Sequence, residues 1–122
     1  LTFPLATPSL HAALAALEDR EHRDYVRSET ALLRDEATQK LNGAGIHVYP
    51  GHGNFILMEM GGRESLAREM DTALRAEGIS LRRFASPAFD RCLRMTLGRH
   101  AETRTATDAI IRLYQDMREA RA

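Results

Sequence analysis

The sequence predicts an α+β domain of two layers, in which helices cover one face of a mainly antiparallel sheet. Apolar residues recur at helical spacing at both ends of the chain, whereas short runs between them alternate with a period of two. These runs come in pairs separated by a helix, which favours antiparallel pairing. The predicted order is ααββαββα, and 122 residues with 43% hydrophobic content suffice for one core.

Two helices open the predicted order. Residues 1–8 are rich in proline and are expected to form an extended lead-in, after which a helix begins at Pro8 or Ser9. A second helix is predicted over about 21–42, and Asn42-Gly43 provides its stop. The apolar faces consist of Leu10, Leu14 and Leu17 in the first helix, and Val26, Thr30, Leu33, Ala37 and Leu41 in the second.

The remaining elements alternate between strands and helices. Strands are predicted at 46–49 and 55–60, a helix at 64–77 that stops at Gly78, further strands at 79–82 and 93–97, and a helix at 101–119. Phe55, Leu57 and Glu59 share one face of the second strand, and Ile56, Met58 and Met60 the other. The inward-facing residues are predicted to be Leu66, Met70, Ala73 and Leu74 in the helix at 64–77, and Ala106, Ile110, Leu113 and Met117 in the helix at 101–119.

The charge balance argues against nucleic-acid binding. Basic and acidic residues both number 17, so the clustered basic excess that gives nucleic-acid affinity is missing. A single cysteine, Cys92, excludes an internal disulfide and suits a reducing compartment such as the cytoplasm. No apolar run is long enough to span a membrane. We therefore expect neither nucleic acid nor membrane as a partner.

The stretch GHGNF, residues 51–55, is the first candidate site. A phosphate-binding loop leads into a helix, whereas these glycines lead into a strand, so a turn between strands is predicted, in which positive φ costs little at Gly51 and Gly53. His52 is interpreted as an exposed turn residue, because the histidines show no metal-site spacing and we expect no metal. Asn54 either caps the turn or donates to a ligand carboxylate.

Two arginines on the C-terminal strands are the second candidate site. Arg82 ends the strand ISLR, and Arg94 points to the face opposite Leu93 and Met95. If that face is covered, the Arg94 guanidinium needs an anionic partner, because an unpaired buried charge is costly. If the face is open, Arg94 simply meets water. The residues themselves leave both interpretations open.

Three ordered motifs resemble a known family. They are PGHGNFILMEM at 50–60, LRAEGISLRR at 74–83 and RCLRMTLGRHAET at 91–103, and the helix SLHAALAALED at 9–19 fits as well. Together they resemble the C-terminal small domain of fold-type I aminotransferases that depend on pyridoxal 5'-phosphate (PLP), in particular the histidinol-phosphate aminotransferase branch. The resemblance covers essentially the whole chain, residues 1–122.

The resemblance assigns substrate-binding roles to three residues. Arg94 matches the arginine that binds the carboxylate or phosphate end of the amino-acid substrate, Arg82 matches a second arginine near the substrate, and Asn54 matches an asparagine close to it. Planar, bidentate anion binding suits arginine better than lysine. The chain departs from the pattern at Arg83, where proline is usual, and at Arg99, where a helix-capping Thr or Ser is common.

The resemblance also implies that the chemistry is located elsewhere. PLP and its Schiff-base lysine belong to a large domain that residues 1–122 lack, and Lys40, the only lysine, lies on the polar side of a helix. No catalytic residue and no cofactor site is therefore expected in this chain, which alone should be inactive. Its partners would be the rest of its polypeptide, an anionic amino-acid substrate and a second subunit in a homodimer.

Two other functions remain open from the sequence. One is a free-standing α+β binding or regulatory module whose sheet face binds a small carboxylate. The other is the small domain of a PLP-dependent decarboxylase of phosphate-bearing amino acids, which shares this scaffold.

Overall fold

A computed structural model describes residues 4–62 and 65–120 and confirms the α+β class. Because Asp19 caps the second helix, its Oδ1 accepting the His22 N–H, the two N-terminal helices stay separate. None of the described helices is long and apolar enough to cross a membrane. The elements are α1 (Thr7–Glu18), α2 (Arg20–Gly43), β1 (His47–Val48), β2 (Phe55–Glu59), α3 (Leu66–Ala76), a short 3-10 helix (Pro87–Phe89), β3 (Cys92–Thr96) and α4 (His100–Glu119).

The three strands form one antiparallel sheet in the order β1-β2-β3. Met58 lies opposite Val48 on one side and Leu93 on the other, and all three side chains are buried. Because side chains alternate along a strand, the register places Ile56, Met58, Leu93 and Met95 on one buried face, and Phe55, Leu57, Glu59 and Arg94 on the opposite, partly exposed face.

The core lies between that apolar sheet face and helices α2, α3 and α4, as the two-layer prediction requires. The helices contribute residues at the predicted spacing, and burial of each large side chain stabilises the fold by about 1.5–3 kcal/mol. The buried helical residues include Leu33, Ala37 and Leu41 of α2, Met70 and Leu74 of α3, and Ile110 and Tyr114 of α4.

The predicted strand at 79–82 is wrong as a regular strand. Only Arg82 pairs with the sheet, in an isolated antiparallel bridge to Arg94. The start of the segment is instead tied to the end of α3, because the Ile79 N–H donates to the Leu74 carbonyl at 2.9 Å and Gly78 adopts a φ of 79°. Segment 79–82 therefore pairs with β3 through Arg82 alone.

The N-terminal prediction is also corrected. Helix α1 begins at Thr7, so the described lead-in is shorter than residues 1–8; residues 1–3 lie outside the described residues, as do residues 63–64 of the predicted third helix. Leu10, Leu14 and Leu17 share a face, but 47%, 59% and 67% of each remains exposed, because α1 lies outside the layer that covers the sheet. No residue of α1 is buried, and Val26 of the predicted stripe is exposed as well.

Candidate functional site

Arg82 and Arg94 are brought together by backbone pairing. Each N–H donates to the other residue's carbonyl oxygen, and both distances are 3.0 Å. Residues paired in this way point their side chains to the same face of a sheet. The two guanidinium groups therefore extend from neighbouring positions on the face that the helices do not cover.

Arg94 lies half-buried on this face, as its place between the buried Leu93 and Met95 predicts. Its guanidinium carbon lies 5.1 Å from the centre of the Phe55 ring, a cation–π distance that orients the group. Its Nε is shielded from solvent and has no hydrogen-bond partner. Neither interpretation describes Arg94 in full, because the described helices do not cover this face of the strand and yet the side chain is not freely solvated.

The other polar groups of this face leave Arg94 unpaired. Glu59, two positions along β2 from the residue opposite Arg94, accepts a hydrogen bond from the Tyr49 hydroxyl at 2.6 Å. That bond to a carboxylate raises the pKa of Tyr49. Within residues 4–62 and 65–120, no carboxylate lies within ion-pair distance of Arg82 or Arg94.

A cavity of about 950 Å³ opens beside β3, between segment 78–83 and the start of α4. Arg82, Arg83 and Arg94 all line it. Its acidic residues are already engaged, since Glu77 pairs with Arg112 at 2.6 Å and Glu102 accepts the backbone N–H of Arg99 at 3.0 Å. Arg82, Arg83 and Arg94 therefore line the cavity without an ion-pair partner among the described residues.

The start of α4 forms one wall of the cavity, and its N-cap residue is Arg99 in place of the capping Thr or Ser that is common in the resembling family. The Arg99 side chain makes no cap hydrogen bond. Neighbouring residues compensate, because Glu102 binds the Arg99 N–H and the Thr103 hydroxyl accepts the Gly98 N–H at 3.1 Å. A β-carbon at Gly98 would lie 2.7 Å from Glu102 Oε2, so glycine suits this turn.

The GHGNF stretch is a loop between β1 and β2, as predicted, but neither glycine adopts a positive φ. Gly53 instead leaves space for an aromatic ring, since a β-carbon there would lie 3.1 Å from the Phe55 side chain. Asn54 is exposed at the start of β2, and its carbonyl accepts the Leu97 N–H at 2.8 Å. The loop therefore places Asn54 at the end of β2 that carries Phe55, the ring beneath the Arg94 guanidinium.

Arg34 helps to hold the loop that carries Asn54, and the sequence did not predict this role. Its side chain is 16% exposed and its Nη1 donates to the Gly53 carbonyl at 3.2 Å, which ties α2 to the loop carrying Asn54. An arginine in a long polar helix gives no sequence signal for such a contact, because its partner is a backbone group 19 residues away.

The remaining candidates lie outside this arrangement. His52 is exposed, and across residues 4–62 and 65–120 no three His, Cys, Asp or Glu side chains are grouped closely enough to hold a metal ion. Lys40 pairs with Asp108 at 3.5 Å and Glu36 at 3.8 Å, and it does not line the cavity. Cys92 is buried, which raises the pKa of its thiol and makes it a poor nucleophile.

Comparison with curated proteins reveals histidinol-phosphate aminotransferases as relatives. The chain is 34% identical over 109 residues to the histidinol-phosphate aminotransferase of Nitrobacter winogradskyi and 35% identical over 109 residues to that of Rhodospirillum rubrum. Each match covers 88% of this chain but 30% of the relative. The chain therefore spans about a third of the length of the curated relatives that it matches.

Solved structures give the same result. The histidinol-phosphate aminotransferase of Sinorhizobium meliloti, in complex with pyridoxal-5'-phosphate, superimposes with a TM-score of 0.79 at 25% identity, over 87% of this chain and 29% of that one. The family model described as aminotransferase class I and II matches residues 1–110. The chain accordingly belongs to the class I and II aminotransferase family.

Proposed function

We propose that this chain is the substrate-recognition small domain, residues 1–122, of a PLP-dependent aminotransferase similar to histidinol-phosphate aminotransferase. Arg94 binds the carboxylate or phosphate end of an amino-acid substrate, and Arg82 assists from the paired position. Asn54 contributes a side-chain amide from the loop before β2. The domain recognises and orients the substrate, and none of its own residues acts in catalysis.

The observation that carries the proposal is that Arg82 and Arg94 are paired across two segments and have no acidic partner among the described residues. Like charges on directly opposite positions of an antiparallel pair destabilise a sheet. Other arginines of this fold are compensated, for example Arg104 by Glu36 at 3.1 Å and Arg75 by Asp71 at 3.1 Å. An anion bound between Arg82 and Arg94 would offset the repulsion between their charges, and the guanidinium fork fits a carboxylate or phosphate.

The residues described here do not form a cofactor site by themselves. When bound to such an enzyme, PLP acts as the electron sink for amino-group transfer. Its attachment needs a lysine, and the only one in this chain, Lys40, is held in ion pairs outside the cavity. The proposal therefore places the cofactor on a large domain of the same polypeptide, in a cytoplasmic homodimer like that which the family resemblance implies.

The test is the kinetics of a protein that combines this chain with its cofactor-binding domain. Arg94→Ala should raise KM for histidinol phosphate by about 10- to 150-fold, because a hydrogen bond to a charged group contributes about 1.5–3 kcal/mol. Arg104→Gln, which removes a charge outside the cavity, is the matched control and should leave KM unchanged. An unaltered KM in the Arg94 variant would refute the assignment.

A separate measurement distinguishes this proposal from a free-standing binding module. If the proposal is correct, the reading frame upstream of Leu1 encodes a further domain with a cofactor-binding lysine. A start codon directly before Leu1 would favour the module instead.

A further inference from the structure

Phe55 supports Arg94 from the neighbouring strand. Leu57 lies directly opposite Arg94, so Phe55, two positions away on β2, occupies the diagonal position on the same sheet face. Aromatic and long side chains reach each other across that diagonal. The Arg94 guanidinium carbon lies over the Phe55 ring, 5.1 Å from its centre, and Arg94 Nε is shielded from solvent. The ring therefore restricts where the guanidinium can lie.

This support differs from the ion pair that holds Arg112. Glu77 binds the Arg112 guanidinium at 2.6 Å, and such a pair occupies N–H donors and offsets the charge. An aromatic ring instead contacts the face of a guanidinium, whereas the N–H donors lie in the plane of the group and point outward from its edge. Phe55 thus restricts Arg94 without accepting the hydrogen bonds that Arg94 would donate to a carboxylate or phosphate.

Gly53 leaves the space that the Phe55 ring occupies. A β-carbon at residue 53 would lie 3.1 Å from Phe55 Cε1, closer than ordinary van der Waals contact, so a larger residue would press on the ring. Gly53 does not adopt a positive φ, and the backbone itself therefore does not require glycine. The ring explains the glycine.

We propose that Phe55 is a positioning residue for Arg94: its ring, in the space that Gly53 leaves, holds the guanidinium in place for the anionic end of the substrate. This inference rests on the proposed function, because it requires Arg94 to bind that anion. The benefit is preorganisation, since a side chain that is already restricted loses less conformational entropy when a ligand binds. The role does not require Phe55 to touch the substrate.

Anion binding to the full 122-residue chain tests the role of the ring, with inorganic phosphate as the probe and NMR as the measurement. Phe55→Leu keeps an apolar side chain but removes the aromatic face, and it should lower the phosphate affinity by about two- to fivefold, the range of an exposed cation–π contact. Phe55→Tyr keeps the ring and should retain the affinity. The ring current should hold the Arg94 Nε–H resonance upfield in the unsubstituted chain and in Phe55→Tyr, but not in Phe55→Leu.

Two glycine substitutions in the same loop test the placement of the ring. Gly53→Ala should displace the ring, and so shift the Arg94 Nε–H resonance and lower the phosphate affinity, although by less than Phe55→Leu does. Gly51→Ala is the matched control and should change neither, because a β-carbon there would meet no other described atom within 4 Å and its φ is not positive. An Arg94 resonance that is unmoved in Gly53→Ala would contradict the proposal.

Kinetics separate positioning from a general loss of structure. In a protein that combines this chain with its cofactor-binding domain, Phe55→Leu should raise KM for histidinol phosphate by about two- to fivefold and leave kcat unaltered, as expected when only ground-state binding is weakened. A fall in kcat with an unchanged KM would contradict the role.

The outcomes distinguish this inference from the function on which it rests. Unchanged phosphate affinity in Phe55→Leu, combined with lost binding in Arg94→Gln, would overturn the role of Phe55 and leave the proposed function intact. An equal loss of affinity in Phe55→Leu and Phe55→Tyr would also overturn that role, because the second variant keeps the ring. Undiminished binding in Arg94→Gln would overturn both.

Discussion

Replacing Arg82 with glutamine should stabilise the fold in the absence of ligand while weakening anion binding. Arg82 is exposed, and its guanidinium shares a sheet face with that of Arg94 without a carboxylate partner among the described residues. Its contact with the Phe84 ring is long, at 6.0 Å, so little attraction is lost with the side chain. The substitution therefore mainly removes a repulsion.

The size of the repulsion follows from the pairing. Side chains on directly opposite residues begin about 5 Å apart, and we take a separation of about 7 Å for the two guanidinium groups. Coulomb's law gives about 0.6 kcal/mol at that separation in water and about 2.4 kcal/mol at an effective dielectric constant of 20. Since Arg82 is exposed, the lower end applies, and we expect a gain of about 0.5 kcal/mol.

Urea unfolding at low and high salt measures this gain. At 10 mM ionic strength the Arg82→Gln chain should unfold at a higher urea midpoint, and at 1 M salt, where charges are screened over about 3 Å, the difference should vanish. Arg104→Gln is the matched control, because it breaks the bidentate pair with Glu36 and should destabilise the chain at low salt. A destabilised Arg82→Gln chain at low salt would show that the pair is not repulsive and would remove the main argument for an anion site.

Three further predictions concern the surroundings of the site. The hydrogen bond from Arg104 holds the pKa of Glu36 below its usual range. The ionised Glu36 carboxylate therefore stabilises the fold above its unfolded pKa of about 4.3, and this stabilisation is lost as pH falls through the lower folded pKa. Arg104→Gln should raise the Glu36 pKa in an NMR titration. Burial raises the pKa of Cys92, so iodoacetamide should label the thiol slowly in buffer and rapidly in urea, and fast native labelling would contradict its burial. Arg34→Ala removes the donor to the Gly53 carbonyl and should speed amide exchange across that loop, whereas unchanged exchange would mean that α2 does not position it.

Local patterns were enough to predict the class of fold and the orientation of the central arginine. Alternation along β3 buries Leu93 and Met95 and therefore directs Arg94 to the other face, whatever the partner strands are. The stop of α3 was readable for the same reason, because Gly78 with its φ of 79° follows the helix as a stop signal should, whereas the predicted stop Asn42-Gly43 lies within α2 and the glycine with positive φ is Gly45. Such features depend on a residue and its near neighbours, which the sequence displays directly.

Long-range contacts decided the rest. Apolar spacing predicted a strand at 79–82, but the bond from Ile79 back to α3 leaves Arg82 alone to meet β3, and the same spacing in α1 produced a face that no described element covers. The cavity shared by Arg82, Arg83 and Arg94 likewise exists only because separate segments converge. The sequence by itself determined which face each side chain takes, since that is set by backbone periodicity; the tertiary structure decided which charges meet without a counter-ion, since that depends on partners distant along the chain.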